Sequence, residues 1–261
     1  MLFADDTSII ISTPKETEFE SILSQVINDT VEWCKNNQLA LNLEKTQFTQ
    51  FQTKHKTITD IQVVVKDQIV LNTTNLKFLG LKLNNKFTWT PYGSELAIKL
   101  NKACYTIRAI KPFVSLKSLI SVCSSYFHSL MMYGIIFWGN SPISREIFKI
   151  RKRAIRIITN KSRRDSCKHL FKQLQILTLP SQYIFSVLVF VTENGNLFVQ
   201  NKDIHSLNTR NSLDLHLLSS NLSVVQRGML YSGCNAFNNL PAHIKRNSEN
   251  PGILKKYLRN T

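Results

Sequence analysis

Two adjacent carboxylates, Asp5 and Asp6, stand near the start of the 261-residue chain, between the apolar Leu2-Phe3 and the β-branched run Ile9-Ile10-Ile11. That setting suits a tight hairpin with both carboxylates at its tip. Hard divalent cations such as Mg²⁺ take oxygen ligands, and two metal ions about 3.5–4 Å apart can clamp the attacking and leaving oxygens of a phosphoryl transfer. A metal pair of this kind needs at least one further carboxylate from elsewhere in the fold. An Asp-Asp pair also occurs as ordinary solvated turn residues, so its surroundings decide its meaning.

The second constellation is cationic. Lys149, Arg151, Lys152, Arg153, Arg156, Lys161, Arg163 and Arg164 put eight cations within sixteen residues, with no acid before Asp165. Ile150, Ala154, Ile155, Ile157 and Ile158 leave an apolar stripe for docking, so the polar side is expected to face outward as a positive ridge. Phosphate contacts release counterions, and such a ridge binds nucleic acid in a salt-sensitive, sequence-independent way. A solvated helix face and a nuclear localisation patch are the alternatives.

The whole chain shares this bias. It has 33 Lys and Arg against 17 Asp and Glu, a formal charge of +16, which favours a polyanionic partner, nucleic acid first and an anionic membrane surface second. At 43% hydrophobic and 10% aromatic residues it can build real cores, one large domain or two ordinary ones. Five cysteines (Cys34, Cys104, Cys123, Cys167, Cys234) lie far apart without a CxxC pair. They suggest neither zinc nor disulfides; Cys104 and Cys123 fall among helical apolar positions and are expected to be buried free thiols, and a reducing compartment, nucleus or cytoplasm, fits best. The scattered histidines, His205, His216 and His243 among them, match no ligand spacing. No signal peptide is expected, and the apolar runs Leu130–Trp138 and Tyr183–Val191 are too short to cross a bilayer and read as core.

These groups have to be positioned by the elements around them. Thr13-Pro14-Lys15-Glu16 reads as a capping box ahead of a long helix whose apolar face runs Phe19, Ile22, Leu23, Val26, Ile27, Val31, Cys34 and ends at Asn36-Asn37. Alternation at Leu39, Leu41 and Leu43 predicts a strand. A hairpin is expected over Ile61–Val70, broken at Lys66-Asp67-Gln68. A second is expected with Leu76–Leu83 as one strand, Asn84-Asn85 as the turn and Phe87–Trp89 returning. After Pro91 the period becomes helical. Leu96, Leu100, Ala103, Cys104, Ile107 and Ile110 form one stripe. A second helix, capped by Ser115, carries Leu116, Leu119, Ile120, Cys123, Phe127 and Leu130, and a third begins near Ser144; together they form a small bundle. Further helix is predicted at 167–177 and 180–191, then loop-rich sequence with one or two short helices, the last at 253–258.

The motifs resemble those of non-LTR retrotransposon (jockey-like, LINE-type) reverse transcriptases. Phe3-Ala4-Asp5-Asp6 is similar to that family's Tyr/Phe-x-Asp-Asp hairpin. Trp33-Cys34-Lys35-Asn36-Asn37-Gln38-Leu39 with Leu41 to Thr46 looks like its palm helix and next strand. Phe78-Leu79-Gly80, with Leu83 and Trp89, resembles its primer-grip hairpin, although Asn84 stands where the family often has aspartate. His205 to Arg210, Tyr231-Ser232-Gly233 and Phe237-Asn238-Asn239-Leu240-Pro241 are similar to the C-terminal segment of insect-type elements.

The resemblance implies an α+β chain. Residues 1–90 would be a partial palm, an antiparallel sheet with one long helix; 91–165 a helical thumb with the basic ridge; and 166–261 a helical, then irregular C-terminal segment. It implies that Asp5 and Asp6 bind Mg²⁺ or Mn²⁺, with Asp5 the stronger ligand. Lys45 would assist pyrophosphate departure from the incoming dNTP, the alternative being a solvated lysine. Phe78, Leu79 and Gly80 would place the primer end, and the basic residues would hold an RNA template and DNA primer. Only four residues precede Asp5, so the third carboxylate and the fingers are not expected within this sequence, one sheet face should be left exposed, and the chain is expected to be inactive alone. A nonenzymatic nucleic-acid-binding remnant is the competing reading. A different palm polymerase, such as a viral RNA replicase, fits the aspartates but not the C-terminal motifs.

Overall fold

The computed structural model describes residues 2–3, 6–12, 18–51, 61, 63–65, 68–204, 211–212 and 214–245. It is a mixed helix and sheet structure in two compact units, Met1–Phe87 and Thr88–Thr261. The expected capping box at 13–16, the motif at 205–210 and the helix at 253–258 lie outside the described residues.

In the first unit, strands β1 (Leu2–Phe3) and β2 (Asp6–Thr7) pair antiparallel. Helix α1 (Phe19–Asn36) follows. Its apolar spacing buries Leu23 and Ile27 against Ile61, Val63 and Val70, with Ile11, Phe19, Val31, Leu43 and Phe48 packed around them. Each such side chain contributes roughly 1.5–3 kcal/mol on burial. Asn36-Asn37 ends the helix as expected. The Asn37 side chain donates to the Trp33 carbonyl at 2.8 Å, and Gln38 turns the chain with φ 58°.

The alternating Leu39, Leu41 and Leu43 do not form the predicted strand. After Gln38 the chain is irregular, because Asn42 organises a turn: its Oδ1 accepts from Lys45 N–H at 3.1 Å and its carbonyl from Thr46 N–H at 3.1 Å. A short polar side chain that satisfies local backbone donors competes with a sheet ladder.

The strand falls later. β3 (Gln47–Phe48) lies parallel to β5 (Gln68–Asn72), which pairs antiparallel with β4 (Val63–Val65) in the order β3-β5-β4. The register Val63↔Val70 and Val64↔Ile69 forms the hairpin expected over Ile61–Val70. Val63 and Val70 face the core, while Val64, Ile69 and Leu71 are exposed.

The second hairpin is real but shifted. β6 (Asn75–Phe78) pairs with β7 (Leu81–Asn84), Phe78 opposite Leu81, so the turn is Leu79-Gly80 and not Asn84-Asn85. Both turn residues have positive φ, 45° and 78°. That is the handedness that matches strand twist in two-residue hairpins. Gly80 adopts it freely, whereas a leucine there is strained.

The second unit is built on α2 (Thr90–Ile110), with Pro91 in its first turn. Its buried stripe, Leu96, Leu100, Ala103, Cys104 and Ile107, packs chiefly on α6 (Ser144–Thr159). α3 (Leu116–Val122) starts where predicted, with Ser115 Oγ accepting from Ser118 N–H at 3.2 Å. It runs through a π-helical turn, Cys123–His128, into α4 (Ser129–Met132). The π-turn shifts the phase. Leu119, Cys123, Phe127 and Met131 face inward at steps of four, and Met131 replaces the expected Leu130 in the core.

α5 (Ile135–Trp138) then buries Trp138, whose indole donates to the Tyr133 carbonyl at 3.0 Å. The same carbonyl accepts from Tyr92 Oη at 3.1 Å. α7 (Lys168–Gln173) docks on α6, with Cys167, Leu170 and Phe171 against Ile155.

α8 (Leu179–Glu193) is capped by Thr178 and carries a further cluster: Leu188 and Val191 meet Phe198, Leu215, Cys234, Phe237 and Ile244. The short helices α9 (Asn201–Ile204) and α10 (Ser223–Gln226) precede the longer α11 (Met229–Asn238) and α12 (Ala242–Lys245). The Phe237–Pro241 motif therefore has a packing role. Phe237 is buried, and the Asn238 amide brackets Leu215 by donating to its carbonyl and accepting from its N–H, both at 2.8 Å. All five cysteines are free and buried, Cys104 and Cys123 as expected from their apolar helical positions. Among the described residues, no helix is long and apolar enough to cross a membrane.

Candidate nucleic-acid interface

The β1–β2 register pairs Phe3 with Asp6 and Leu2 with Thr7, so the strand that begins at Asp6 runs antiparallel to the strand that ends at Phe3. Ala4 and Asp5 lie outside the described residues, and Asp6 is described only as strand backbone. Five residues on, Ile11 packs into the core under α1. Among the described residues no three His, Cys, Asp or Glu side chains gather to hold a metal.

Lys45 is exposed in the turn built by Asn42. Phe78 and Leu79 are half-buried and Gly80 exposed at the tip of the β6–β7 hairpin. The three strand groups bearing on the expected site, β1-β2, β3-β5-β4 and β6-β7, are separate sheets.

The basic run resolves into two kinds of residue. On α6, Ile147, Ile150, Ala154, Ile155 and Ile158 face inward, and so does Arg151, which is only 3% exposed. The expectation that Arg151 belongs to an outward ridge is corrected here, and its cause is helix phase. Arg151 falls four residues after Ile147 and four before Ile155, at the centre of the buried stripe.

Its Nη1 donates to Met131 Sδ at 3.4 Å, and its guanidinium sits 5.8 Å from the centroid of the Phe171 ring. Burial pulls its pKa down to about 10, with Cys123 opposing that shift. At neutral pH it stays charged. His128 is held below its ordinary value by burial and then by Arg151, and burial pushes the Cys123 thiol up to about 11. Ion–ring and sulfur contacts thus hold a desolvated cation at the bundle's centre.

The remaining cations stay at the surface. Lys149 and Arg153 are exposed on one face of α6, and Arg153 Nη1 donates to Asn101 Oδ1 of α2 at 2.8 Å. Lys152 and Arg156 are half-exposed. Lys152 Nζ lies 4.4 Å from the Phe148 ring centroid, and Arg156 Nε donates to the Asp165 carbonyl at 2.9 Å. Lys161, Arg163 and Arg164 are exposed in the loop beyond. Lys111, just past α2, ties this end of the bundle together by donating to the Ile157 carbonyl and to Asn160 Oδ1.

One feature escaped the sequence reading. Between Leu96 and Arg164 stand fourteen Lys or Arg residues and one acid, Glu146. The cationic surface therefore begins on α2, fifty residues before the dense run. The signal that would have found it is the absence of acids from 96 to 145, where lysines are spaced too widely to read as a run.

Residues 1–83 match the family model described as reverse transcriptase (RNA-dependent DNA polymerase). This part of the chain is thus similar to reverse transcriptases. A stretch of 163 residues, 60% of the chain, is 24% identical to a Drosophila melanogaster protein named "Probable RNA-directed DNA polymerase from transposon BS". The chain spans only 18% of that relative's length. The kinship with non-LTR reverse transcriptases read from its motifs stands on both matches. No solved structure matches the chain.

Proposed function

We propose that, in the whole protein, this segment supplies part of the palm and the thumb of an RNA-directed DNA polymerase that copies an RNA template onto a DNA primer. The supporting observation is the pairing of a reverse-transcriptase match over residues 1–83 with a helical unit whose exposed Lys149, Arg153, Lys161, Arg163 and Arg164 are suited to phosphates. In this reading Asp5 and Asp6 ligate Mg²⁺ or Mn²⁺, which would polarise the phosphoryl oxygens and activate the primer hydroxyl. Lys45, exposed and held by its backbone in the Asn42 turn, serves the pyrophosphate leaving group of the incoming dNTP. The Phe78–Gly80 tip places the primer end.

Primer extension with Mg²⁺ on a heteropolymeric RNA template tests this. Extension by the purified chain, or by the chain supplemented with upstream sequence, should be lost in Asp5→Asn. Extension that survives Asp5→Asn removes the aspartates from the site.

A second reading, a nucleic-acid-binding module without catalysis, is favoured by the position of the cations. They sit in the unit Thr88–Thr261, separate from the one that carries the aspartates. Binding of an RNA–DNA hybrid without extension, in chains with and without upstream sequence, would select it.

A further inference from the structure

The outer face of α2 combines cations with an aromatic that nothing holds. On a 3.6-residue helix, Ile98, Lys102, Tyr105 and Ala109 fall within one narrow arc, directly opposite the buried Leu96, Leu100, Ala103 and Ile107. Tyr105 is 74% exposed, and no hydrogen bond or ring contact fixes its side chain among the described residues. Arg108 and the Arg153–Asn101 pair border the arc on one side, and Lys99 lies on the other.

The stripe runs for roughly 22 Å to the turn after α2, where Phe113 is 85% exposed beside the exposed Leu116 and Lys117. No acid lies between Leu96 and Arg145. An exposed aromatic on an otherwise polar helix is common as a single event. Here Tyr105 and Phe113 are exposed along a stretch in which every charged residue from Leu96 to Arg145 is a cation, with the exposed Glu95 at its N-terminal end.

We propose that this face of α2 is a platform for an unpaired nucleic-acid strand, such as the single-stranded part of an RNA extending beyond a duplex. Lysine and arginine track the backbone while Tyr105 and Phe113 stack on bases. A fully paired duplex hides its base faces and can use only the cations. A strand with free bases uses both, and that combination is what sequence-tolerant single-strand binding requires. The platform shares only its border residue Arg153 with the α6 cations assigned above to phosphates, and it stands whether or not the chain polymerises.

The test is fluorescence anisotropy on the full chain with two labelled probes, a 20-mer of oligouridylate and a blunt RNA–DNA hybrid of the same length. Tyr105→Ala should weaken oligouridylate binding about tenfold and leave hybrid binding within about twofold. Tyr105→Trp should restore it. Irradiation of a 4-thiouridine version of the 20-mer should crosslink at Tyr105 or Phe113. Equal losses on both probes, or no loss on either, would overturn the proposal. So would a Tyr105→Ala effect seen only on phosphatidylserine vesicles, which would make the stripe a membrane-surface contact instead. Loss of hybrid binding in Lys149 or Arg163 variants would instead bear on the phosphate-binding face of the proposed polymerase, so the two readings fail separately.

Discussion

Arg151 Nη1 donates to the sulfur of Met131 at 3.4 Å, and this bond joins α6 to the end of the π-containing helix at the centre of the bundle. A thioether is a weak acceptor, and its sulfur carries no opposing charge. The guanidinium therefore keeps most of its desolvation cost, and the cation–ring contact with Phe171 offsets only part of it. Replacement by an apolar side chain of similar length is expected to be tolerated. Arg151→Met should hold or raise the thermal midpoint, whereas Arg151→Ala, which opens a cavity, should destabilise by about 2–4 kcal/mol. Thermal unfolding of both variants measures this, and a large loss in Arg151→Met would mean the charge itself is needed.

Nucleic-acid binding should separate the buried arginine from its neighbours. Lys149→Ala and Arg153→Ala are each expected to reduce the slope of log K against log salt by about 0.9 on duplex, because both side chains are exposed. Arg151→Met should leave the slope unchanged. Salt titrations with an RNA–DNA hybrid provide the comparison.

Alkaline stability follows from the thiols. Burial raises Cys104 and Cys123 from 9.0 to about 11, and Tyr92, also by burial, from 10.0 to about 12. Between these limits the unfolded chain releases protons that the folded one keeps. The stability they provide is whole below pH 9 and falls as pH rises through 11. Arg151, lowered by burial to about 10, acts in the opposite sense, but only above pH 10. Urea midpoints should therefore drop from pH 8.5 to 10, and Cys104→Ala with Cys123→Ala should flatten that drop.

The Leu79-Gly80 turn holds a leucine where asparagine or glycine is the low-strain choice. Leu79→Asn is expected to stabilise the chain by about 0.5–1 kcal/mol, and Gly80→Ala to cost about 1 kcal/mol or more. Denaturant midpoints check both. If Leu79→Asn stabilises the fold yet lowers primer extension, the strain at Leu79 serves the reaction.

The exposed face of β4–β5 bears on solubility. Val64 and Ile69 are cross-strand partners, and Leu71 continues the patch. This exposed face is apolar. Ile69→Thr with Leu71→Lys should reduce self-association in sedimentation runs without lowering the thermal midpoint.

Elements whose apolar residues keep one period along the whole segment were legible from sequence. α2 and α6 start and stop where prolines and stripes place them, and α1 stops at Asn36-Asn37 as expected, because a single buried face dictates each. The Val63–Val70 hairpin was legible for the same reason. Legibility failed where a local interaction overrode the period. Asn42 captured the backbone that Leu39–Leu43 would have given to a strand, and the π-turn at 123–128 replaced Leu130 by Met131. Arg151 was misplaced because counting charges ignores phase, although its spacing from Ile147 and Ile155 already located it. The carboxylate pair was the most legible chemistry in the sequence, yet only Asp6 of the two falls among the described residues.

The crowding of like charge on α2 and α6 has an opposite effect on folding and on binding. Fourteen cations against one acid over 96–164 repel one another as the bundle closes, so added salt should make this unit fold more readily while it loosens its grip on polyanions. At low ionic strength the same residues make a bound nucleic acid the neutralising counter-surface. If the chain binds RNA as proposed, the RNA should favour folding of this unit as well, and the molecule should be most vulnerable when free in dilute buffer.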